Sequence, residues 1–181
     1  MKRRTPQYVS LLLGILISLT ACVGAQAGDD IELAGDIMQY TLPAAAVIMI
    51  LENKDSQGAL QFGESAALTV GITEGLKYAV DERRPNGGKH SFPSAHTSIS
   101  FSAAEFIRKR YGWEYGIPAY AAASFVAYSR VEARQHHPQD VVAGAAIGII
   151  NSYLFTRPYK GWQVQAETDG KYYGIRLTLN W

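Results

Sequence analysis

Apolar residues occur along the chain in runs of helical length, and short polar segments separate these runs. The runs at 31–40 and 44–51 lie on either side of Pro43 and predict one kinked or split helix. The run at 60–80 predicts a long helix or a pair of shorter ones, and three further helices are predicted over 94–110, 117–128 and 138–155. The pattern therefore predicts an all-α fold, an antiparallel bundle of about five helices over residues 28–160.

Residues 161–181 change to an alternating pattern, which predicts a C-terminal β-hairpin. The dipeptide Asp169-Gly170 is typical of a two-residue type I′ turn. Because an isolated hairpin is marginally stable in water, its apolar face must lie on something. We favour the helical bundle as that surface, with a membrane or another chain as alternatives. Folding about the turn would pair Ala166 with Tyr173, Val164 with Ile175 and Trp162 with Leu177.

The N-terminus has the pattern of a secretory signal. Three basic residues at 2–4 precede a short apolar run at 8–19, as in the n-region and h-region of a signal peptide. An uncleaved transmembrane anchor is the alternative, but the run is shorter than the ~20 residues that a span requires. We therefore predict export to the periplasm or cell envelope, with residues 1–21 as the signal peptide.

The single cysteine, Cys22, indicates a lipid anchor. It ends the sequence Leu19-Thr20-Ala21-Cys22, which resembles the bacterial lipobox, where a cysteine is lipidated and becomes the new N-terminus. The alternative is ordinary signal cleavage after Ala27, which would discard Cys22. With one cysteine in the chain, an intramolecular disulfide is excluded in either case.

The charge balance excludes nucleic acid as the expected partner. The whole chain has a net charge of +1, and removal of the three basic residues of the leader leaves 14 basic against 16 acidic residues. An acidic chain does not concentrate anionic lipids by its overall charge, so any attraction of phosphate must be local. The mean hydropathy is −0.06, and the apolar runs are shorter than membrane spans. These values favour a soluble or surface-anchored domain over one embedded in the membrane.

The densest cluster of reactive residues lies at 129–140, between two apolar runs. It contains two arginines, two histidines and an aspartate. Pro138 suits the first turn of a helix, which places Asp140 in that turn and His136 just before it. A carboxylate there can accept a hydrogen bond from one imidazole nitrogen and leave the other one free to act as a base. A solvated connecting loop is the alternative interpretation.

Two upstream clusters complete a known pattern. The chain has Lys77 followed after six residues by Arg84-Pro85, then Pro93-Ser94-Ala95-His96, then Ser129-Arg130 followed after five residues by His136 and after three more by Asp140. Together these resemble the three-part signature of the type-2 phosphatidate phosphatase and vanadium haloperoxidase superfamily, over residues 77–155. One departure is Ala95, where many members have glycine, and alanine disfavours a positive φ.

The resemblance implies a catalytic role for each of these residues. His136 is expected to attack phosphorus, Asp140 to orient it, and His96 to protonate the leaving oxygen. Phosphate binding is implied for Lys77, Arg84, Ser94, Ala95 and Arg130. No metal and no cofactor is implied, and a zinc site built on His96 and His136 would lack a third ligand at suitable spacing.

We therefore predict a metal-independent phosphatase that hydrolyses phosphomonoesters or pyrophosphates through a phosphohistidine intermediate. The location favours lipid phosphates of the cell envelope as substrates, with the membrane surface as a partner through the lipid anchor. One alternative is a vanadate-dependent haloperoxidase, because the residues that bind phosphate would also bind vanadate, which resembles phosphate. Another is a non-catalytic phosphate-binding envelope lipoprotein.

Overall fold

The computed structural model describes residues 28–159, 161–168 and 173–180. The predicted signal peptide, Cys22 and the tip of the predicted hairpin lie outside these residues. The division of the chain into leader, helical domain and hairpin stays a prediction.

Five helices form the described part of the bundle, which confirms the all-α architecture. The first is a single helix that continues through Pro43, which excludes the second of the two predicted alternatives, a kinked or a split helix. Pro118 likewise lies inside the fourth helix, which begins four residues earlier than predicted. The helices are α1 (Gly28–Glu52), α2 (Ser56–Val80), α3 (Ala95–Tyr111), α4 (Trp113–Glu132) and α5 (Pro138–Phe155).

Helix α3 lies at the centre and packs against all four other helices. With α1 and α4 it forms an apolar core that includes Leu42, Phe106 and Val126, all of them buried. Its contact with α5 is closer still. A Cβ atom on Gly144 would lie 2.5 Å from the Ser94 carbonyl oxygen, and one on Gly148 would lie 2.2 Å from that of Ser98. These two glycines let the start of α5 lie directly against the start of α3.

Helix α2 has its polar face inside and apolar residues outside. Its buried side chains include Ser65, Thr69, Thr73 and Lys77, spaced four residues apart. The Thr73 hydroxyl donates to the Ser98 hydroxyl at 3.0 Å. The outer face has two glutamates and the large apolar residues Leu60, Leu68, Val70, Ile72, Tyr78 and Val80. This is the reverse of the pattern expected for a surface helix of a soluble bundle.

Among the described helices, one is long and apolar enough to cross a membrane, the segment Asp30–Glu52 of α1. Its exposed side chains include Leu33, Ile37, Tyr40, Val47 and Leu51. Extended apolar surface of this kind marks a membrane or protein contact.

Two C-terminal strands, β1 (Gly161–Thr168) and β2 (Tyr173–Asn180), pair antiparallel. Their register differs from the predicted one by two residues, because Thr168 faces Tyr173 and Ala166 faces Ile175. The predicted pairs, based on a two-residue turn, were therefore wrong, since residues 169–172 separate the strands.

Candidate active site

His136 and Asp140 form the buried centre of the site. The side chain of Asp140 is fully buried in the first turn of α5, and that of His136 is 2% exposed. His136 Nδ1 lies 3.5 Å from Asp140 Oδ2. The structure therefore brings the expected pair together, but the distance between the two atoms is longer than that of a standard hydrogen bond. The backbone N–H of His137 donates to the same carboxylate oxygen at 2.8 Å.

Ser91 is a functional candidate that the sequence analysis missed. Its buried hydroxyl donates to Asp140 Oδ2 at 2.5 Å and lies 3.5 Å from His136 Nδ1. Ser91 therefore fixes the carboxylate beside the imidazole. It belongs to none of the three motifs, and no periodicity or spacing distinguishes it from an ordinary loop serine.

The other predicted binding residues lie around this centre. Lys77 is buried near the end of α2 and donates to the His90 carbonyl at 3.0 Å. Arg84 is partly buried and donates to the side chain of Gln135 at 2.9 Å. Both cations act on the pKa of His136, so the structure brings the first and third motifs together.

The second motif forms the start of α3. Ser94 is the N-cap residue, and its backbone N–H donates to the Asp140 carbonyl at 3.0 Å. Ala95 is the first helical residue and does not have a positive φ, so alanine causes no strain there. His96 follows in the first turn, where the free N–H groups and the helix dipole favour an anion.

Arg130 is nearly fully buried, and protein groups contact all three of its guanidinium nitrogens. Nε donates to the Ser129 hydroxyl at 3.1 Å, Nη1 to Asp36 Oδ1 at 2.6 Å, and Nη2 to the Glu32 carbonyl at 2.6 Å. Asp36 Oδ1 also lies 3.2 Å from Nε2 of His96. Asp36 and Glu32 belong to α1, in which the sequence analysis placed no site residue.

Both candidate catalytic histidines are neutral at neutral pH in this structure. Burial, with Arg84 and Lys77 nearby, lowers the pKa of His136 to about 4 against the opposing effect of Asp140. Burial and Arg130 lower the pKa of His96 to about 4, against the opposing effect of Asp36. A neutral His136 has a lone pair available for attack. A protonated His96 would require a bound anion to raise its pKa.

One group of residues in the described part of the chain could hold a metal ion. Glu82, His137 and Asp140 offer ligand atoms that all lie within 4.8 Å of one another. His137 Nδ1 lies 3.5 Å from Glu82 Oε1, a separation that an ordinary histidine–carboxylate pair also shows. Asp140 accepts two hydrogen bonds through Oδ2, whereas its Oδ1 and His137 Nδ1 have no hydrogen-bond partner among the described residues.

The arrangement is suited to a tetrahedral phosphate. Three cationic side chains, a helix N-terminus and two imidazoles surround one region, and a buried carboxylate supports one imidazole. Several cations and N–H donors are what phosphoryl transfer requires, because its transition state spreads charge over several oxygens.

Comparison with known proteins agrees with this chemistry. A profile of the PAP2 superfamily matches residues 86–162. A lipid A 4'-phosphatase of Helicobacter pylori strain J99 is 30% identical over 202 aligned positions that cover the whole of both chains. This chain belongs to the PAP2 superfamily. It is a phosphatase, as the sequence predicted.

Other relatives match in part or in fold. A lipid A 1-phosphatase of Porphyromonas gingivalis is 37% identical over 46% of this chain and 20% of its own length. The crystal structure of LpxE from Aquifex aeolicus superimposes with a TM-score of 0.59 at 20% identity, covering 84% of this chain and 87% of that one. A transmembrane PAP2-type phosphatidylglycerolphosphate phosphatase from Bacillus subtilis gives a TM-score of 0.56 over 84% and 86%. These two likenesses show a shared fold.

Proposed function

We propose that this PAP2 phosphatase removes a phosphate group from a phosphorylated lipid of the cell envelope, through a phosphohistidine at His136 and without a metal ion. The full-length similarity to a lipid A 4'-phosphatase carries the choice of substrate class. The cations around the buried His136–Asp140 pair support the choice of reaction.

In the proposed reaction, each motif supplies one part of the chemistry. Lys77, Arg84 and Arg130, with Ser94 and the backbone N–H groups of Ala95 and His96, bind the phosphate oxygens. His136 attacks phosphorus in line, and Asp140 stabilises the imidazolium that forms. His96 gives its proton to the leaving oxygen. It then takes a proton from the water that hydrolyses the phosphohistidine, so that both histidines return to their starting states.

We propose that the apolar outer faces of α1 and α2 contact lipid. Exposed apolar side chains run along both helices, from residues near the site such as Leu33 and Val80 to Leu51 and Leu60 at the opposite end. A lipid substrate whose acyl chains lie against these faces would bring its phosphate to the end of the bundle where the motifs converge. The other two predicted functions, haloperoxidase and non-catalytic phosphate binding, gain no support, because the relatives named above are phosphatases.

The experiment that tests the function is phosphate release from a panel of substrates in detergent micelles. The panel includes lipid A, phosphatidylglycerophosphate, phosphatidate, an isoprenyl diphosphate and soluble monoesters. At least one lipid is expected to exceed the soluble esters by about 10-fold or more in kcat/KM, the size of effect that remote substrate binding provides. Activity should persist in excess chelator. Equal activity on all substrates, or loss of activity with chelator, would contradict the proposal.

Arg130→Ala is expected to weaken inhibition by orthovanadate and to raise KM. Loss of a charged hydrogen-bond partner costs about 1.5 to 3 kcal/mol, which is about a 10- to 150-fold rise in the inhibition constant. The matched control is Arg134→Gln, because Arg134 is an exposed arginine in the following loop. Melting curves would show that both variants fold. Vanadate inhibition that is unchanged in Arg130→Ala would remove Arg130 from the phosphate site.

Lipidation of Cys22 remains a prediction, since that residue lies outside the described part of the chain. If it is lipidated, the wild-type protein should label with a radioactive fatty acid, and Cys22→Ser should abolish the label and block leader processing. A labelled wild type and an unlabelled variant would support the anchor. A mature wild-type protein that starts at Gly28 would contradict it.

A further inference from the structure

Asp36 lies in the site although it belongs to none of the three motifs. A single carboxylate oxygen, Oδ1, accepts a hydrogen bond from Arg130 Nη1 at 2.6 Å and lies 3.2 Å from His96 Nε2. The two contacts join the second motif to the third through a residue of α1. Helix α1 contains none of the residues of the three motifs.

The backbone of α1 approaches the site too closely for this contact to be incidental. A Cβ atom on Gly35 would lie 1.9 Å from the Ser129 hydroxyl oxygen and 2.6 Å from Arg130 Nη2. Only glycine therefore allows α1 to reach this position without a shift. The Glu32 carbonyl accepts from Arg130, and Gln135 donates to the Glu32 carboxylate at 2.9 Å. Helix α1 thus forms one wall of the site, with the Asp36 carboxylate directed into it.

We propose that Asp36 is a positioning residue, which holds a proton on Nε2 of His96 and keeps that nitrogen beside the Arg130 guanidinium that binds phosphate. This inference rests on the proposed function of His96 as the acid. During cleavage the proton leaves Nε2 for the leaving oxygen as the phosphorus–oxygen bond breaks and the bond to His136 forms. Asp36 is 40% exposed in its side chain, so it can turn toward solvent as the leaving group arrives.

The charges that surround His96 explain why such a residue is needed. Arg130 on α4, Arg84 in the loop before α3 and the neighbouring His136 all face His96. Burial and the two arginines lower the pKa of His96, and Asp36 is the carboxylate that opposes them. Without Asp36, the pKa of His96 would be lower, and a smaller fraction of His96 would be protonated before substrate binds.

Asp36→Asn tests the inference, because asparagine keeps the shape and removes the charge. On an alkyl phosphate, kcat is expected to fall about 10-fold or more, part of the contribution of general acid catalysis. On nitrophenyl phosphate, whose leaving group needs little protonation, the rate of the nitrophenol burst should change less than about 2-fold. KM should not rise, since Arg130 keeps its own charge.

The pH dependence of the rate on the alkyl ester gives a second measurement. Its alkaline limb should move to lower pH in Asp36→Asn, because the active, protonated form of His96 is then lost earlier as pH rises. Asp36→Glu should restore part of the lost rate.

Two results would overturn the inference. Equal loss on both esters with a raised KM would mean that Asp36 only supports Arg130. Tighter vanadate binding with an unchanged kcat would mean that the carboxylate only competes with the substrate anion. Asp30→Asn is the matched control, an exposed aspartate of the same helix. The comparison uses soluble esters, so it can be made even if the wild type fails on lipid phosphates, which would contradict the proposed function alone.

Discussion

His136→Ala is expected to abolish the burst of nitrophenol from nitrophenyl phosphate, whereas His96→Ala is expected to retain it. The proposed mechanism gives the two histidines different chemistry. His136 forms the bond to phosphorus, and without it no phosphoenzyme can accumulate on any substrate. His96 donates a proton, which a nitrophenolate leaving group hardly needs.

The difference between the two variants should narrow on a substrate with a poor leaving group. The leaving group of a lipid or alkyl phosphate is an unstable alkoxide that needs a proton. On such a substrate, His96→Ala should lose roughly 10²- to 10⁴-fold of its rate, the usual contribution of general acid catalysis. That loss corresponds to about 2.7 to 5.4 kcal/mol of activation free energy. With nitrophenyl phosphate, the same variant should show a burst followed by slow turnover, because water attack on the phosphohistidine also uses His96 as a base.

Rapid-mixing measurements of nitrophenol release, with steady-state phosphate release from an alkyl ester, distinguish the possibilities. His90→Gln serves as a control, because His90 is a loop histidine paired with Asp81 and is given no catalytic role. A burst in His136→Ala, or equal losses on both substrates in the two variants, would contradict this assignment of nucleophile and acid.

The sequence predicted the centre of the site because its determinants are local. Pro138 starts α5, which places Asp140 in the first turn and His136 just before it. Likewise, Ser94 as the N-cap of α3 places His96 in the first turn of that helix. In each case a few neighbouring residues determine the backbone, and the backbone determines where the side chain points.

Asp36 and Ser91 were missed because their contacts are distant in sequence. Arg130 and Asp36 are 94 residues apart, and Ser91 and Asp140 are 49 apart. Neither contact has a local pattern, since one depends on how α1 packs against α4 and the other on where the loop before α3 lies relative to α5. The close approach at Gly35 is equally invisible in the sequence, where a glycine in a helical run indicates only a lower helix propensity.

The periodicity of the sequence also could not predict which face of α2 is buried. Its polar residues Ser65, Thr69 and Thr73 repeat at helical spacing, which predicts a helix but not which face is inside. The structure buries this polar face and exposes Leu60, Leu68 and other apolar residues. A mean hydropathy near zero is therefore a weak argument against lipid contact in this chain. The hairpin register was missed for a related reason, because the turn dipeptide was taken to fix a connection that is two residues longer.

Removal of one partner from a buried ion pair at the opposite end of the bundle is expected to destabilise the protein strongly. Asp55 and Arg110 are both nearly fully buried, and two guanidinium nitrogens donate to the carboxylate at 2.7 and 2.5 Å. The Tyr111 hydroxyl and the Gly58 amide also donate to Asp55. Burial alone would raise the pKa of Asp55, but the Arg110 and Gly58 hydrogen bonds and the Arg110 charge outweigh it and lower the pKa.

Asp55→Ala should therefore lower the free energy of unfolding by about 3 to 5 kcal/mol, because it leaves the Arg110 charge buried without its partner. For a chain of this size the melting temperature should fall by roughly 6 to 20 °C.

Two further variants serve as controls. Glu64→Ala, which removes an exposed carboxylate of α2, should change the melting temperature little. The double variant Asp55→Leu with Arg110→Met should recover most of the loss, since well-packed apolar side chains can replace a buried ion pair. Thermal unfolding in one detergent measures all three variants. A loss below about 1 kcal/mol in Asp55→Ala, the value typical of an exposed pair, would mean that the two charges are solvated and not buried together.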